Sequence, residues 1–185
     1  MNQNVKSIAI VLDISVRPSP KGKRVLDLVK KDLIEFVRTF DCEDLFYLYH
    51  PEVTEVLDNR GDQISAIGNY DTDGYSLQDM LYAFKQTYYV LSALDEGAKR
   101  TFCYITDRFN KSSVVHLKKL FNIPKTMGVL ATPCEFLVIA VGDQQDLPAL
   151  QEVCKDRAEL VCISDGDNLL KALTNHYEEI VELTI

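Results

Sequence analysis

The sequence lacks the short motifs that most directly indicate a chemistry. It contains no glycine-rich phosphate-binding loop followed by lysine, and its first apolar run is followed by Pro18-Ser19-Pro20. A nucleotide-binding site of that kind is therefore not expected. The five cysteines include no CxxC pair, and their odd number argues against a complete disulfide framework. We expect reduced thiols, with Cys103 and Cys162 buried inside apolar strands.

Basic charge and long apolar runs are also scarce. Twenty Lys and Arg residues stand against 28 Asp and Glu residues, giving a formal net charge of −8. This balance disfavours nucleic acid and anionic membranes as partners by bulk electrostatics. No apolar run approaches the ~20 residues that span a bilayer, and the first residues lack the apolar core of a signal peptide. We therefore expect a cytoplasmic protein.

Candidate catalytic residues are few. The three histidines, His50, His116 and His176, lie on separate predicted elements and have no metal-ligand spacing. We expect them at boundaries or on the surface rather than in a catalytic site. No cysteine has a base partner that the sequence identifies, so nucleophilic catalysis has no support. The prediction is a protein that is not an enzyme.

Two apolar runs, each ended by an aspartate, organise the rest of the chain. Ile8–Leu12 is a run of five apolar residues that stops at Asp13, with Ser15 in the loop beyond. Thr101–Thr106 is a second such run and stops at Asp107. Each run is typical of a buried parallel strand. Because open α/β sheets bind ligands at the carboxyl ends of their strands, the two carboxylates are expected together at that edge.

The remaining pattern predicts strands alternating with amphipathic helices, which implies a mostly parallel sheet covered on both faces. Helices are predicted over about 23–40, 76–94, 112–121, 146–155 and 167–181, and further strands over 44–50, 53–57, 136–141 and 160–163. The short link between 44–50 and 53–57 requires antiparallel pairing. Residues 59–73 carry Gly, Asn and Asp and are predicted as a long loop that could be functional.

Tyr75, Tyr82 and Tyr89 recur every seventh residue along the predicted helix 76–94. At about 100° per residue this stripe lies away from the apolar stripe of the same helix, so it should face outward. Two interpretations stand side by side. The tyrosines rest on neighbouring loops, or they form an exposed aromatic contact surface for a protein partner.

The order and spacing of these elements resemble the von Willebrand factor A (vWA) domain. The resemblance rests on the aspartate after the first strand, the hairpin, the helix introduced by Gly74, Ile-Thr-Asp before position 108 and the strand Phe-Leu-Val-Ile-Ala-Val-Gly-Asp. It covers about residues 5–182. It implies a single domain over 1–185 with a Rossmann-like α/β fold. The implied sheet has six strands, mostly parallel, with one antiparallel edge strand and helices on both faces.

In that family the carboxyl-end edge usually holds a metal-ion-dependent adhesion site. The family motif is Asp-x-Ser-x-Ser on the first loop, a threonine before a later helix, and an aspartate after the fourth strand. Asp13 and Ser15 match the first two positions of the motif, and Asp107 matches its last aspartate. The resemblance therefore implies Asp13, Ser15 and Asp107 as metal ligands if the site is retained.

The chain departs from the motif at three positions. Arg17 stands in place of the second serine, Tyr75 in place of the threonine, and Arg108 in place of the glycine that commonly follows the last aspartate. Magnesium needs oxygen ligands in near-octahedral geometry, so losing two hydroxyls weakens the site. A guanidinium beside the two carboxylates also opposes a cation, because like charges at ~4 Å repel by ~4 kcal/mol at an effective dielectric of 20.

Two interpretations of this edge remain open. In the first, Arg17, with Arg108, pairs with the two carboxylates and no cofactor is needed. In the second, Arg17 points to solvent and a weak Mg²⁺ site survives through Thr72, Ser19 and water. Calorimetric titration with magnesium separates the two.

The resemblance and the residues together predict a non-catalytic protein–protein interaction module of vWA type, acting as a scaffold or as a subunit of a larger assembly. Its partner is a protein, and the predicted partner-binding residues are Asp13, Ser15, Arg17, Tyr75, Asp107 and Arg108. One alternative is a magnesium-dependent binding domain in which a carboxylate of the partner completes the metal shell. Another alternative is an α/β hydrolase or phosphotransfer enzyme that uses the aspartate pair.

Overall fold

The computed structural model describes residues 6–15, 24–41, 44–49, 60–71, 76–93, 99–107, 111–122, 134–142, 147–164 and 168–178. Strands and helices alternate along the chain with few exceptions. The strands are β1 (Lys6–Asp13), β2 (Leu45–Leu48), β3 (Lys99–Thr106), β4 (Glu135–Val141) and β5 (Glu159–Ile163). The helices are α1 (Val25–Arg38), α2 (Arg60–Asn69), α3 (Leu77–Ser92), α4 (Lys111–Leu120), α5 (Leu147–Cys154) and α6 (Leu169–Glu178).

The five described strands form one parallel sheet in the order β2-β1-β3-β4-β5. Asp13 of β1 lies opposite Thr106 of β3, so these two strands end at the same level. The predicted Rossmann-like α/β fold with a mostly parallel sheet is confirmed. The predicted antiparallel edge strand, over 53–57, lies outside the described residues.

The two faces of the sheet are covered by different helices, because successive residues of a strand point to opposite faces. Ile8, Ile10 and Leu12 of β1 pack with α1, α2 and α6, whereas Ala9 and Val11 pack with α3, α4 and α5. Burial on both faces explains why β1 reads as an unbroken apolar run. None of the helices described here is long and apolar enough to cross a membrane.

The predicted loop over 59–73 is wrong for most of its length, because residues 60–69 form helix α2. Ile67 is fully buried in the core beneath α1, and Ile64 packs against the same cluster. This burial offsets the low helix propensity of Gly61 and Gly68, since glycine costs up to about 1 kcal/mol relative to alanine inside a helix. Directly after the helix, Tyr70 is buried among the same core residues.

The cysteine prediction is only partly right. Cys103 is fully buried in β3, and burial raises the pKa of its thiol. Cys162, in contrast, is exposed on β5. Strand β5 lies at the end of the described sheet, so it is less covered by helices than β3. Together with Cys134 and Cys154, these cysteines are free thiols.

One of the three histidines differs from the boundary or surface position predicted for it. His176 of α6 is buried, with Nδ1 bonded to the Glu159 carboxylate and Nε2 3.6 Å from the Glu135 Oε2. Carboxylates at the start of two strands thus accommodate an interior imidazole that the sequence pattern did not reveal. His116 of α4 is half-buried, in agreement with a boundary position. His50 lies outside the described residues.

Helix α2 provides a stability test of the fold. Replacing Ile67 by alanine removes a fully buried side chain, so we expect the free energy of unfolding to fall by ~2–5 kcal/mol. Ser65→Ala, on the exposed side of the same helix, serves as the matched control and should change it by less than about 0.5 kcal/mol. Urea unfolding followed by circular dichroism measures both. Equal stabilities of the two variants would show that α2 is not packed in the core.

Candidate functional site

The carboxyl ends of β1 and β3 form the candidate site, which we call the C-terminal edge. The Asp107 N–H donates to the Asp13 carbonyl oxygen at 3.3 Å, so the backbones of the two strands meet there. Both side chains are buried, with 5% of Asp13 and 4% of Asp107 exposed. The structure thus brings the two aspartates to neighbouring strand ends and leaves little of either carboxylate open to solvent.

The Asp107 carboxylate holds the turn that follows β1. The Ser15 backbone N–H donates to its Oδ1 at 2.8 Å, and the Ser15 hydroxyl donates to its Oδ2. Hydrogen bonds to an ionised acceptor are about twice as strong as neutral ones. These two bonds therefore fix the start of one loop against the start of another, across 92 positions of sequence.

The Asp13 carboxylate accepts hydrogen bonds from β3, its neighbour in the sheet. The Tyr104 hydroxyl donates to Oδ2 at 2.8 Å, and the Thr106 hydroxyl lies 3.4 Å from the same oxygen. The Tyr70 hydroxyl, from the turn after α2, donates to the Leu12 carbonyl at 2.9 Å. Protein donors thus hold the end of β1 on two sides.

Sequence reasoning missed Tyr104 and Thr106 as partners of Asp13. Two aspartate-ended strands were only a partial signal, because aligning the aspartates would pair Asp13 with Asp107, whereas the sheet pairs Asp13 with Thr106. Tyr104, two residues earlier, then lies on the same face of the sheet. Nothing in the sequence alone shows that β1 and β3 are neighbours, so this signal becomes readable only once the strand order is known.

The charge of the C-terminal edge also affects the pKa of a histidine in α4. The pKa of His116 is lowered, first by burial and then by the positive charge of Lys119, while the Asp13 carboxylate acts in the opposite direction. The imidazole is therefore neutral at pH 7. It adds no positive charge that could balance the buried carboxylate.

Half of the predicted site lies outside the described residues. This applies to Arg17, Tyr75 and Arg108, and to the substitute ligands Thr72 and Ser19. The pairing of arginines with the aspartates and the shifted-loop magnesium site therefore stay predictions. Within the described residues, the donors to the two carboxylates are hydroxyl and backbone N–H groups.

The described residues supply an incomplete set of ligands for a cation. Asp13, Ser15 and Asp107 carry the oxygen ligands that magnesium prefers. However, they are three side chains where near-octahedral geometry asks for six ligands, and both carboxylates already accept hydrogen bonds from the protein. Across the described parts of the chain, no group of three or more His, Cys, Asp or Glu residues is placed to hold a metal ion. By themselves these residues do not fit a tightly held ion.

The Tyr104 hydroxyl provides a test of this hydrogen-bond network. Tyr104→Phe removes a donor to a buried carboxylate, so we expect the free energy of unfolding to fall by ~1–3 kcal/mol. The matched control is Tyr82→Phe, which removes an exposed hydroxyl and should leave stability unchanged. Urea denaturation measures both. A Tyr104→Phe protein as stable as the control would contradict the assigned bond.

No protein-family model matches the chain, and no curated protein matches it in sequence. Solved structures do match. The VWA domain of SpRpn10 superimposes with a TM-score of 0.57 at 14% identity, covering 93% of this chain and 95% of that domain. The chain is therefore similar to a complete vWA domain over nearly its whole length.

Two larger proteins also contain a similar region. Proximal thread matrix protein 1 from the mussel byssus, in a structure with a zinc-occupied MIDAS motif, gives a TM-score of 0.66 at 15% identity, covering 96% of this chain and 46% of its own. The pilus adhesin SpaC from Lactobacillus rhamnosus GG gives 0.65 at 12% identity, covering 97% and 31%. The chain thus spans less than half of either protein. These likenesses, with that to SpRpn10, define a domain of vWA fold.

Proposed function

We propose that the protein is a non-catalytic protein–protein interaction module of vWA type that serves as a scaffold or as a subunit of a larger assembly, and that its partner binds at the C-terminal edge. One observation carries the proposal: Ser15 is bonded through both its backbone and its side chain to Asp107. That contact holds the starting points of two loops together, as a binding surface built from loops on a rigid sheet requires. The vWA fold supports it.

In this proposal the buried residues position the surface, and their neighbours in sequence contact the partner. The two aspartate side chains are too buried to supply much contact area themselves. Arg17 stands two positions beyond Ser15, and Arg108 directly follows Asp107. Arginine and tyrosine are enriched in protein interfaces, so Arg17, Arg108 and Tyr75 are the proposed contacts. Guanidinium groups favour a partner segment that carries carboxylates.

We further propose that binding requires no metal ion. Two of the family's hydroxyl ligands are replaced, by Arg17 and Tyr75, and both carboxylate oxygens of Asp107 and Oδ2 of Asp13 accept hydrogen bonds within the protein. The alternative is a domain in which a carboxylate of the partner completes a magnesium shell. The chemistry of Asp13, Ser15 and Asp107 is compatible with that alternative only if further ligands are added.

Calorimetric titration tests the metal-free proposal. The wild-type protein should bind neither Mg²⁺ nor Mn²⁺ with a micromolar dissociation constant. Arg17→Ser/Tyr75→Thr, which restores the family's hydroxyls, should gain measurable affinity because the ligand number rises and a positive charge is removed. Micromolar binding by the wild type that disappears in Asp13→Ala would show instead that the magnesium-dependent alternative is correct.

Affinity purification with mass spectrometry tests the interaction surface. The wild-type protein should recover the same partner in the presence of chelator and of magnesium, because the proposed contacts are arginine and tyrosine side chains. Arg17→Ser/Tyr75→Thr should lose that partner in chelator. Lys31→Ser, which removes an exposed charge from α1, is the matched control and should retain it. Recovery that depends on magnesium, or that the double substitution leaves unchanged, would contradict the proposal.

A further inference from the structure

The outer surface of helices α3 and α4 carries exposed large apolar side chains. Within the described part of the chain, the large apolar side chains that are at least half exposed are Tyr82 at 54%, Tyr89 at 59% and Val115 at 50%. All three lie on α3 or α4, which pack side by side on the same face of the sheet. Exposed large apolar residues that cluster on one surface are typical of interaction sites.

The geometry of α3 explains why these tyrosines are exposed. Tyr82, Lys85 and Tyr89 follow i, i+3 and i+7 spacing and so project from one side of the helix. Phe84 and its buried neighbours occupy the opposite side, against the sheet. The outward stripe predicted from the sequence is therefore present at Tyr82 and Tyr89, whereas Tyr75 lies outside the described residues. With more than half of each side chain open to solvent, these two tyrosines favour the contact-surface interpretation.

The charge of this surface is opposite to that of the chain as a whole. Among the described side chains of α3 and α4, the exposed charges are those of Lys85, Lys118, Lys119 and Asp79. The half-buried His116 is neutral at pH 7, because burial lowers its pKa. Three lysines against one aspartate make a local positive surface on a protein whose formal net charge is −8. Such an inversion favours a partner that carries negative charge.

We propose that this surface docks an acidic protein segment with apolar anchor side chains. We call it the α3/α4 surface and define it by Tyr82, Lys85, Tyr89, Val115, Lys118 and Lys119. The tyrosines and the valine offer apolar contact area, and the lysines attract and orient the acidic groups. The α3/α4 surface is made by helix faces rather than by the C-terminal edge. The inference is therefore independent of the function proposed for that edge.

Charge favours an acidic protein segment over a second copy of the chain or an anionic membrane as the occupant of the α3/α4 surface. A second copy of the chain would place the lysines of one α3/α4 surface against those of the other, and like charges facing each other are unfavourable. An anionic membrane would meet the whole protein, whose net charge of −8 opposes binding. A short segment meets only the charges within a Debye length, about 8–10 Å, where lysines predominate. The lysines of the α3/α4 surface attract an acidic segment, and the net charge of the chain does not exclude it. An acidic segment is therefore the occupant that agrees with both the local and the total charge.

Three fluorescein-labelled peptides test the proposal by fluorescence anisotropy. The first is an amphipathic helix of about 18 residues with Leu and Phe at i and i+4 spacing and Glu on the remaining face. The second replaces Glu by Lys, and the third replaces Leu and Phe by Ala. The first peptide should bind at least about tenfold more tightly than either of the others, and its affinity should fall as salt is added.

Substitutions locate the binding surface. The affinity for the first peptide should fall at least about tenfold in Tyr82→Ser/Tyr89→Ser and in Lys85→Glu/Lys119→Glu. The lysine substitutions should also reduce the salt dependence of binding. The matched control is Lys31→Glu/Lys171→Glu, the same charge reversal on α1 and α6 at the other face of the sheet. The control should leave the affinity unchanged. All substituted side chains are exposed, so urea unfolding midpoints should stay at the wild-type value.

Several results would overturn the inference. Equal affinity for all three peptides, or no loss in the Tyr82→Ser/Tyr89→Ser protein, would remove its basis. Binding to phosphatidylserine vesicles, or a dimer seen by light scattering, that this substitution abolishes would assign the surface to a membrane or to a second copy. A peptide that loses affinity only in Arg17→Ser/Tyr75→Thr would bind at the C-terminal edge. A negative result in the peptide experiments does not bear on the magnesium and affinity-purification tests of the C-terminal edge.

Discussion

The parallel pairing of β1 with β3 is the contact on which the rest of the candidate site depends. The register places Asp13 opposite Thr106, so β1 and β3 end at the same level of the sheet. Asp107 is the next residue after Thr106. From there Ser15 can reach the Asp107 carboxylate with its backbone N–H and its hydroxyl. A shift of the register by one residue would turn these side chains to the other face of the sheet and separate them.

Burial of the two carboxylates makes these hydrogen bonds important for stability. A carboxylate removed from water must find donors within the protein, because an unsatisfied buried charge is strongly destabilising. Tyr104 supplies such a donor to Asp13, and Ser15 supplies two to Asp107. Donors and acceptors that satisfy each other in this way rigidify the edge. The edge of this vWA-fold domain is thus organised by hydrogen bonds within the chain as far as the described residues reach.

The domain offers two surfaces with different physical characters. The C-terminal edge rests on buried polar groups that position loops, and its contacting groups are proposed from sequence position. The α3/α4 surface rests on side chains that are already exposed, with Tyr82 and Tyr89 among lysines. The partners proposed for both surfaces are acidic, although the formal net charge of the chain is −8. Both proposals therefore rest on local charge rather than on the total charge of the chain.

The local sequence pattern predicted the strands, most of the helices and the outward tyrosine stripe, and it placed Asp13 and Asp107 at strand ends. It could do so because hydrophobic periodicity depends only on neighbours in sequence. Tertiary structure alone decided the rest. Helix α2 forms despite two glycines because Ile67 is buried beneath α1, and His176 is interior because strand-starting carboxylates lie beside it. Tyr104 became a partner of Asp13 through the strand order. Each of these outcomes depends on residues far apart in the chain, which no local pattern can report.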